Sequence, residues 1–439
     1  MIRLKSVYLV ISATTSGIHH PIKHSRMKQL RSTIKKLAFA CMLALVAGIF
    51  LSSCDGNDPE PLGEEGGTAR FFRSVKVISI TKEVLKDVAS GNEIFQPLIQ
   101  YMEYDMTLYR IIYTTKYKGV DIQVSGLVSV PEGVEDAPIL SAHHGTVFAN
   151  NAAPSNVIVN LSSGGILGYE LFGSAGYITF VADYIGYAES SGVQHPYYDK
   201  DLTASTIIDM IIAGKEFLDI EGISYSDDLY MIGYSEGGFA TMATLQALES
   251  PQDTLNYNIK AVAAGAGGYH IKGIMDDVLN RTEHPEPGFL GFVLRSYNET
   301  YEWNRPYQDF FQEPYATRIA NGLLDGSNGK NAVNAQLTTV IDDYLQPDFK
   351  EGLLGGSATQ LLDAMERNTV HNWAPQSEVR FYHAPADEVL TIDNSRFTVQ
   401  NMEELGAQNI SFHEISGQSH TEGAFTMIEE VIIWFNSLR

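Results

Sequence analysis

The stretch Gly233-Tyr234-Ser235-Glu236-Gly237 decides the fold, because it joins two segments of different periodicity. An apolar run at 229–232 precedes it, and a helix-like run at 239–248 follows it. A Gly-x-Ser-x-Gly motif between a strand and a helix is typical of a nucleophile elbow, whose glycines let the two elements approach closely. The turn exposes the serine hydroxyl above the helix N-terminus. The stretch therefore predicts that Ser235 is an activated nucleophile that attacks an acyl carbon.

The nucleophile needs two partners. An imidazole must take the serine proton, and a carboxylate must hold that imidazole in its productive tautomer. After an elbow of this kind the acid and the histidine follow in that order along the chain. Asp387 follows the apolar run 379–384 and is predicted as the acid, with Glu388 and Asp393 left as alternatives. His420, after the last predicted strand, is predicted as the base.

The oxyanion formed during acyl attack needs two fixed hydrogen-bond donors. We expect one from the backbone N–H of Glu236, which opens the helix, and the other from the backbone N–H of Thr146, with Gly145 allowing close approach. The neighbouring pair His143-His144 does not indicate a metal site, because adjacent residues of a strand point to opposite faces. No metal ion or cofactor is predicted.

Four other polar residues are interpreted as structural. His383 and His413 lie within predicted strands, and Asp183 and His195 are expected to fix loops or to line the pocket wall.

Outside the elbow, the chain opens with a hairpin and continues with alternating strands and helices. The runs 107–115 and 120–130 alternate in polarity and are joined at Lys118-Gly119, which predicts an antiparallel hairpin. The segments that follow are strands at 137–143, 177–183, 259–264, 379–384 and 409–415, and helices at 203–218, 395–405 and 421–438. This order predicts an α/β fold with a doubly wound, mostly parallel sheet.

Residues 275–375 interrupt the alternation. Helix-like runs occur at 315–324, 332–345 and 358–370, and a helical cap inserted over the site is expected. The segment is rich in aromatic residues, of which about half are expected to be ordinary core. They are Phe289, Phe292, Tyr297, Tyr301, Trp303, Tyr307, Phe310 and Phe311.

Composition limits the class of protein. The 439 residues are 44% hydrophobic, enough for one large domain with an insertion or for two domains. The formal net charge is −23. Residues 1–53 hold eight Lys or Arg and no Asp or Glu, so the remaining 22 basic and 53 acidic side chains balance at −31. This acidic body argues against a nucleic-acid partner and against electrostatic docking on anionic lipid.

The N-terminal segment has the order of a targeting signal. Basic residues between 28 and 36 precede an apolar run at 37–51, which is short for a membrane span. Leu51-Ser52-Ser53-Cys54 then resembles a bacterial lipobox. We expect a membrane partner through lipid on Cys54, and an outer-membrane lipoprotein of the bacterial cell envelope, exposed on the cell surface.

Cysteine usage agrees with this interpretation. Cys41 lies in the segment to be removed and Cys54 is the lipid site, so the folded body has no cysteine for a disulfide. Residues 1–26 only lengthen the signal, and Met27 is the better-placed start. The expected divisions are a signal peptide at 1–53, an acidic tether at 54–70, a core at 71–274 and 376–439, and the cap at 275–375.

The body from about residue 105 to 438 resembles the secretory lipase, or lipase A-like, group of α/β-hydrolases. The resemblance depends on His144-Gly145-Thr146, Ala182-Asp183-Tyr184-Ile185-Gly186-Tyr187, His195-Pro196-Tyr197, Gly233-Tyr234-Ser235-Glu236-Gly237-Gly238, His383-Ala384-Pro385-Ala386-Asp387-Glu388 and Ser419-His420. It implies the α/β-hydrolase fold, a triad of Ser235, Asp387 and His420, and an oxyanion hole at Thr146 and Glu236. Secreted lipases of that group usually carry disulfides, which this body lacks.

The function expected is hydrolysis of carboxylic esters through an acyl-enzyme. A peptidase or acyltransferase of the same fold, and a non-catalytic surface lipoprotein that binds a ligand, remain alternatives. The substrate is expected to be a small-molecule or polymer-linked ester, and acyl lipids, aryl esters and acetylated sugars fit the aromatic cap about equally.

Overall fold

The fold is seen in a computed structural model, which describes residues 69–91, 96–157, 168–251, 255, 257–415 and 419–439. The expected signal peptide, Cys54 and all but the last two residues of the expected tether lie outside the described residues. No helix among the described residues is both long enough and apolar enough to cross a membrane.

A single nine-stranded sheet organises the described part of the chain. Its strands are β1 (Phe71–Ile80), β2 (Met106–Tyr117), β3 (Val120–Pro131), β4 (Ala137–His143), β5 (Ile178–Ala182), β6 (Tyr225–Tyr234), β7 (Asn258–Gly265), β8 (Val379–His383) and β9 (Ile410–Glu414). Their spatial order is β1-β2-β3-β5-β4-β6-β7-β8-β9. The pairs from β1 to β5 are antiparallel, and those from β5 to β9 are parallel. The predicted mostly parallel α/β sheet is confirmed.

The predicted hairpin is also present. β2 and β3 pair without a break from Met106 opposite Pro131 to Tyr117 opposite Val120. The edge strand β1 and the helix after it were not predicted. β1 carries Arg73 and Lys76, and half of its residues are exposed while only Ile80 is buried, so it lacks the clean alternation of a half-buried strand.

Helices cover both faces of the sheet, because the central strands are apolar on both sides; all seven residues of β4 are buried. The helices outside the insertion are α1 (Lys82–Ser90), α2 (Pro154–Val157), α3 (Lys200–Glu221), α4 (Glu236–Leu248), α12 (Ile392–Glu404) and α13 (His420–Asn436). Helix α3 begins where the Asp199 carboxylate accepts a bond from the Leu202 N–H, and ends at Gly222 in the left-handed region.

Between β7 and β8 the chain forms seven α-helices, a short 3₁₀ helix (Tyr307–Asp309) and no strand of the sheet. They are α5 (Ile271–Asn280), α6 (Pro287–Thr300), α7 (Tyr315–Ala320), α8 (Lys330–Asn334), α9 (Ile341–Tyr344), α10 (Pro347–Leu354) and α11 (Thr359–Asn368). Of the eight aromatic residues noted in the sequence, four are fully buried: Phe292, Tyr297, Phe310 and Phe311.

Two helix predictions in this segment differ from the structure. The prediction of a single helix at 332–345 is wrong, because α8 and α9 are separate helices. The β-branched run Thr338-Thr339-Val340 lies between them, and Val340 forms a bridge with Glu283. The helix expected at 315–324 ends at Ala320, because Gly322 takes a left-handed conformation with φ of 93°.

Candidate active site

The elbow holds Ser235 in a conformation that is rare for a residue with a side chain. Its φ is 60° and its ψ −126°, between the last residue of β6 and the first of α4. The turn is held by its own backbone, since the Ser235 N–H donates to Gly265 and the Ser235 carbonyl accepts from Gly238, both at 2.9 Å. Strain of this kind persists only where the surroundings determine the backbone, and it is common at reactive sites.

The two glycines of the elbow leave no room for a side chain. A Cβ at Gly233 would lie 2.1 Å from the carbonyl oxygen of Gly237. A Cβ at Gly237 would lie 2.0 Å from the carbonyl oxygen of His143 at the end of β4. The motif therefore lets α4 pack directly against two strand ends.

Three side chains that are far apart in sequence meet at this turn. His420 Nε2 lies 2.9 Å from Ser235 Oγ, and His420 Nδ1 lies 2.6 Å from Asp387 Oδ2. Because the carboxylate accepts the Nδ1 proton, Nε2 is left to accept from the serine hydroxyl. This tautomer suits a base that removes the serine proton.

The acid is held by its own loop, which follows β8. Asp387 Oδ1 accepts bonds from the N–H groups of Val389 and Leu390, each at 2.9 Å. Burial raises the pKa of Asp387, but hydrogen bonds and charge from His383 and His420 outweigh it and hold that pKa well below the ordinary value. The side chain is therefore ionised across the neutral range.

His383, which the sequence predicted to be structural, contacts the predicted acid. Its Nε2 lies 3.2 Å from Asp387 Oδ2, and its Nδ1 lies 2.7 Å from Ser395 Oγ. The ring is fully buried at the end of β8. A polar residue at the end of a buried strand, four positions before the acid, was the available signal.

The two alternative acids take other positions. Glu388 Oε2 accepts the backbone N–H of His420 at 3.1 Å, so it holds the histidine backbone and leaves the imidazole to Asp387. Asp393 is exposed and pairs with Arg396 at 3.2 Å. Its carboxylate thus forms an ion pair on the surface of α12.

The expected oxyanion donors lie beside the nucleophile. Thr146, Ser235 and His420 line one cleft, and a Cβ on Gly145 would be 3.5 Å from Ser235 Cβ. Thr146 Oγ1 lies 2.9 Å from the Tyr197 hydroxyl, which fixes the loop after β4. The N–H of Glu236 belongs to the first turn of α4, where N–H groups have no partner within the helix.

Behind the elbow, the side chain of Glu236 is buried against His195. His195 Nδ1 lies 2.7 Å from the carbonyl oxygen of Ile185, which only accepts, so Nδ1 carries a proton. His195 Nε2 lies 2.7 Å from Glu236 Oε1. A bond at that distance requires one proton between the two atoms, and the pair therefore has no net charge in either assignment. No local pattern in the sequence indicated this pairing.

Asp183, which was expected to fix a loop or line the pocket wall, and His143 both bond within the protein. Asp183 accepts from the backbone N–H and hydroxyl of Ser155 and from the hydroxyl of Ser125. His143 contacts Ser141 Oγ at 2.9 Å and Thr241 Oγ1 at 2.7 Å. Over the described ranges, no group of three His, Cys, Asp or Glu side chains could hold a metal ion.

Two cavities meet at Ser235. One is a cleft of about 420 Å³ that also contains Thr146 and His420 in its wall. The other is smaller, about 70 Å³, and lies between the elbow, the loop after β8 and helices α5 and α6. A reacting ester therefore has two separate directions in which to extend from the serine.

Comparisons with known proteins agree with this architecture. A family model described as secretory lipase matches residues 169–437, more than half of the chain. No curated protein matches the chain.

Three solved structures illustrate the fold. One from Legionella pneumophila has a TM-score of 0.75 at 24% identity and covers 84% of this chain and 98% of its own. A ligand-bound form of the rice cell wall degrading esterase LipA from Xanthomonas oryzae has a TM-score of 0.74 at 21% identity, covering 84% and 99%. Closed Candida antarctica lipase A has a TM-score of 0.58 at 16% identity, covering 80% and 77%. At these identities the likeness is one of fold, that of the α/β-hydrolases.

Proposed function

From the premise that this chain belongs to the secretory lipase family, we propose that Ser235, His420 and Asp387 hydrolyse carboxylic esters as a catalytic triad. The observation that carries the proposal is the continuous chain of hydrogen bonds from Asp387 through His420 to Ser235, at 2.6 and 2.9 Å. Ester hydrolysis is the chemistry of the family, and this chain of bonds supports a specific assignment of its steps.

In the first half-reaction, Ser235 Oγ attacks the ester carbonyl while its proton moves to His420 Nε2. The negative charge on the carbonyl oxygen is stabilised by the N–H groups of Thr146 and Glu236. As the intermediate collapses, His420 gives its proton to the departing alkoxide, and the acyl group stays on the serine. Asp387 stabilises the transient imidazolium and prevents the ring from turning.

In the second half-reaction, water attacks the acyl-enzyme. His420 takes a proton from the water as the new bond forms, and returns it to Ser235 Oγ as the acid leaves. The cleft of about 420 Å³ beside His420 gives water a route to the acyl carbon, which favours hydrolysis over transfer to another acceptor.

The test is turnover of p-nitrophenyl butyrate by Ser235→Ala. Because the nucleophile is lost, we expect kcat to fall by about 10⁶-fold with the thermal unfolding midpoint unchanged within a few degrees. Ser191→Ala, a change of an exposed serine in a loop, is the matched control and keeps wild-type turnover. Turnover retained by Ser235→Ala would end the triad assignment.

We also propose that Cys54 carries a lipid that anchors the protein to the outer membrane, with the active domain facing outward. The support is the lipobox-like order of residues 51–54 and the acidic, Gly- and Pro-containing segment 55–67 after it. Metabolic labelling with a fatty acid should mark the wild-type protein and not Cys54→Ala. Equal labelling of both would refute the anchor.

A further inference from the structure

The two cavities at Ser235 differ in which catalytic groups they reach. The larger cleft has His420, Thr146 and Ser235 in its wall, whereas the small cavity has Ser235 but not His420. In the proposed reaction the departing oxygen must receive a proton from His420 Nε2, which requires hydrogen-bond distance. The alcohol part of the ester therefore lies in the larger cleft, and the acyl part is directed into the small cavity.

The wall of the small cavity is mostly apolar. Helix α5 contributes Ile271, Ile274, Met275 and Val278, whose spacing of three and four residues places all of them on one face. Helix α6 adds Leu290 and Val293, one turn apart. An apolar face of this kind, turned towards an empty cavity, fits an apolar ligand.

The polar groups in the same wall are already bonded within the protein. The Tyr197 hydroxyl lies 2.9 Å from Thr146 Oγ1. His284 Nε2 faces the carbonyl oxygen of Val389 at 3.3 Å, and His284 Nδ1 accepts the N–H of Glu286 at 3.1 Å. A sugar or a charged acyl group would thus bury its polar atoms without partners, which is unfavourable.

The volume limits the length of the ligand. The cavity holds about 70 Å³. An apolar cavity of about 150 Å³ holds one benzene ring, so this cavity has room for only a few groups of methylene size. An aryl group with a propenoyl link, or a fatty acyl chain of common membrane lipids, exceeds that room.

We propose that the cavity between α5, α6 and the loop after β8 is the acyl-binding subsite, and that the enzyme is selective for esters of short, unbranched aliphatic acids. This inference rests on the proposed function and assigns its substrate class. The same loop carries Asp387, Val389 and Leu390, so one segment holds the catalytic acid and closes the acyl subsite.

The first test is a series of p-nitrophenyl esters from acetate to palmitate, which share one alcohol and differ only in acyl length. We expect kcat/KM to be highest between butyrate and octanoate and at least about 10-fold lower for laurate and palmitate, since a chain longer than the cavity must bend out of it or force its walls apart. Equal or faster turnover of palmitate would overturn the acyl subsite while leaving the triad intact. No turnover of any ester would instead refute the proposed function.

The second test uses a matched pair of substitutions, Val278→Phe in the small cavity and Val147→Phe in the larger cleft. Filling the small cavity should lower the ratio of hexanoate to acetate kcat/KM by about 10-fold, because about two methylenes lose their site. Val147→Phe should keep that ratio within about threefold and instead discriminate among butyrate esters of small and bulky alcohols. The reverse pattern would exchange the two subsites and contradict the inference.

Leu290→Ala tests the same subsite if Val278→Phe does not fold. It enlarges the cavity, so the preferred acyl chain should lengthen by about two carbons. An unchanged preference in a folded Leu290→Ala protein, judged by its circular dichroism, would also contradict the subsite.

A separate observation, the buried contact of His195 Nε2 with Glu236 Oε1 at 2.7 Å, carries a second inference. The N–H of Glu236 is a proposed oxyanion donor, and its own carboxyl group is buried just behind it. An unpaired carboxylate there would oppose the negative charge that forms on the substrate, because buried like charges are weakly screened. We infer that His195 is a positioning residue. It pairs with the Glu236 carboxyl group so that the two side chains together have no net charge, and it holds the first turn of α4.

The test is a set of variants assayed on p-nitrophenyl butyrate. His195→Ala should lower kcat by about 10-fold or more with KM changed less than about threefold. The unpaired Glu236 carboxylate then destabilises the negatively charged transition state but not the uncharged bound ester. The double variant with Glu236→Gln should recover at least about fivefold of that kcat, as the carboxylate is then absent. A double variant as slow as His195→Ala would show that His195 acts by packing alone and overturn the inference.

If His195→Ala does not fold, two substitutions of Glu236 give the same answer. Glu236→Gln keeps a donor for His195 Nε2 and should exceed Glu236→Ala in kcat by about 10-fold, consistent with one lost buried hydrogen bond. Equal kcat values for these two variants would contradict the positioning role.

Discussion

The two sides of Ser235 are built by different means. On one side, which we call the sheet side, His420 at the start of α13 lies 2.6 Å from Asp387 in the loop after β8 and 2.9 Å from Ser235. On the helical side, α5 and α6 offer an apolar face whose fit depends on side-chain volume. A hydrogen-bonded proton path fails when one atom is lost, whereas an apolar pocket tolerates changes of volume in steps. We therefore expect abrupt losses of rate on one side and graded changes of selectivity on the other.

The largest effect that separates the two sides is expected for His420→Ala. Without the base, kcat should fall by about 10⁶-fold on p-nitrophenyl butyrate. His413→Ala is the matched control, because that histidine stacks on Tyr382 and contacts Ser411 away from the nucleophile. Comparable losses in both variants would mean that the assignment of the base is mistaken.

Asp387→Asn comes next in size. An amide can present its N–H to Nδ1 and favour the wrong imidazole tautomer, so kcat should fall by about 10⁴-fold as in other triads. Asp393→Asn, an equal change at the exposed alternative acid, should keep wild-type kcat. Should Asp393→Asn prove the slower enzyme in steady-state assays, the acid has been assigned to the wrong carboxylate.

A smaller effect is expected where the loop after β4 is held. Tyr197→Phe removes the hydroxyl that contacts Thr146 Oγ1 and loosens one proposed oxyanion donor. Loss of about 0.5–1.5 kcal/mol predicts a fall in kcat of about 2- to 10-fold. Thr146→Val deletes the other half of the same contact and should give a similar fall, with the double variant no worse than either. Additive losses would show that the two hydroxyls act independently.

The smallest effect concerns stability against acid. The pKa of Asp387 is depressed in the folded protein, so its contribution to stability is present above the ordinary aspartate pKa of about 3.9 and is lost as pH falls below it towards the folded value. The difference in unfolding free energy between wild type and Asp387→Asn should therefore shrink from pH 6 to pH 3. Urea unfolding at both values measures it, and a difference that grows in acid would contradict the sign.

Most of the sheet side could be read from the sequence. The Gly-x-Ser-x-Gly turn, the apolar runs and the order of serine, acid and histidine are local patterns with few structural solutions. The contacts of His383 with Asp387 and of His195 with Glu236 depend on how loops fold back onto the sheet. The hydrophobic periodicity of the sequence does not predict such contacts. Both pairs are buried, and a histidine or a carboxylate in the sequence does not by itself indicate that it belongs to such a pair.

The helical side was less predictable for a physical reason. Helical periodicity predicts that α5 has an apolar face, but not whether that face packs against core or borders a cavity. The error at 332–345 shows the same limit, since apolar spacing alone predicts one helix where the chain leaves the helix after Asn334 and re-enters it at Ile341. The small acyl cavity could be recognised only once α5, α6 and the loop after β8 were seen together.

The most direct test of the central claim is covalent labelling with a fluorophosphonate, followed by mass spectrometry of the peptides. The account predicts a single modified residue, Ser235, in the folded wild-type protein, and loss of the label in His420→Ala because the hydroxyl is then not activated. Labelling of a different serine, or full labelling of Ser235 without His420, would contradict the proposed triad.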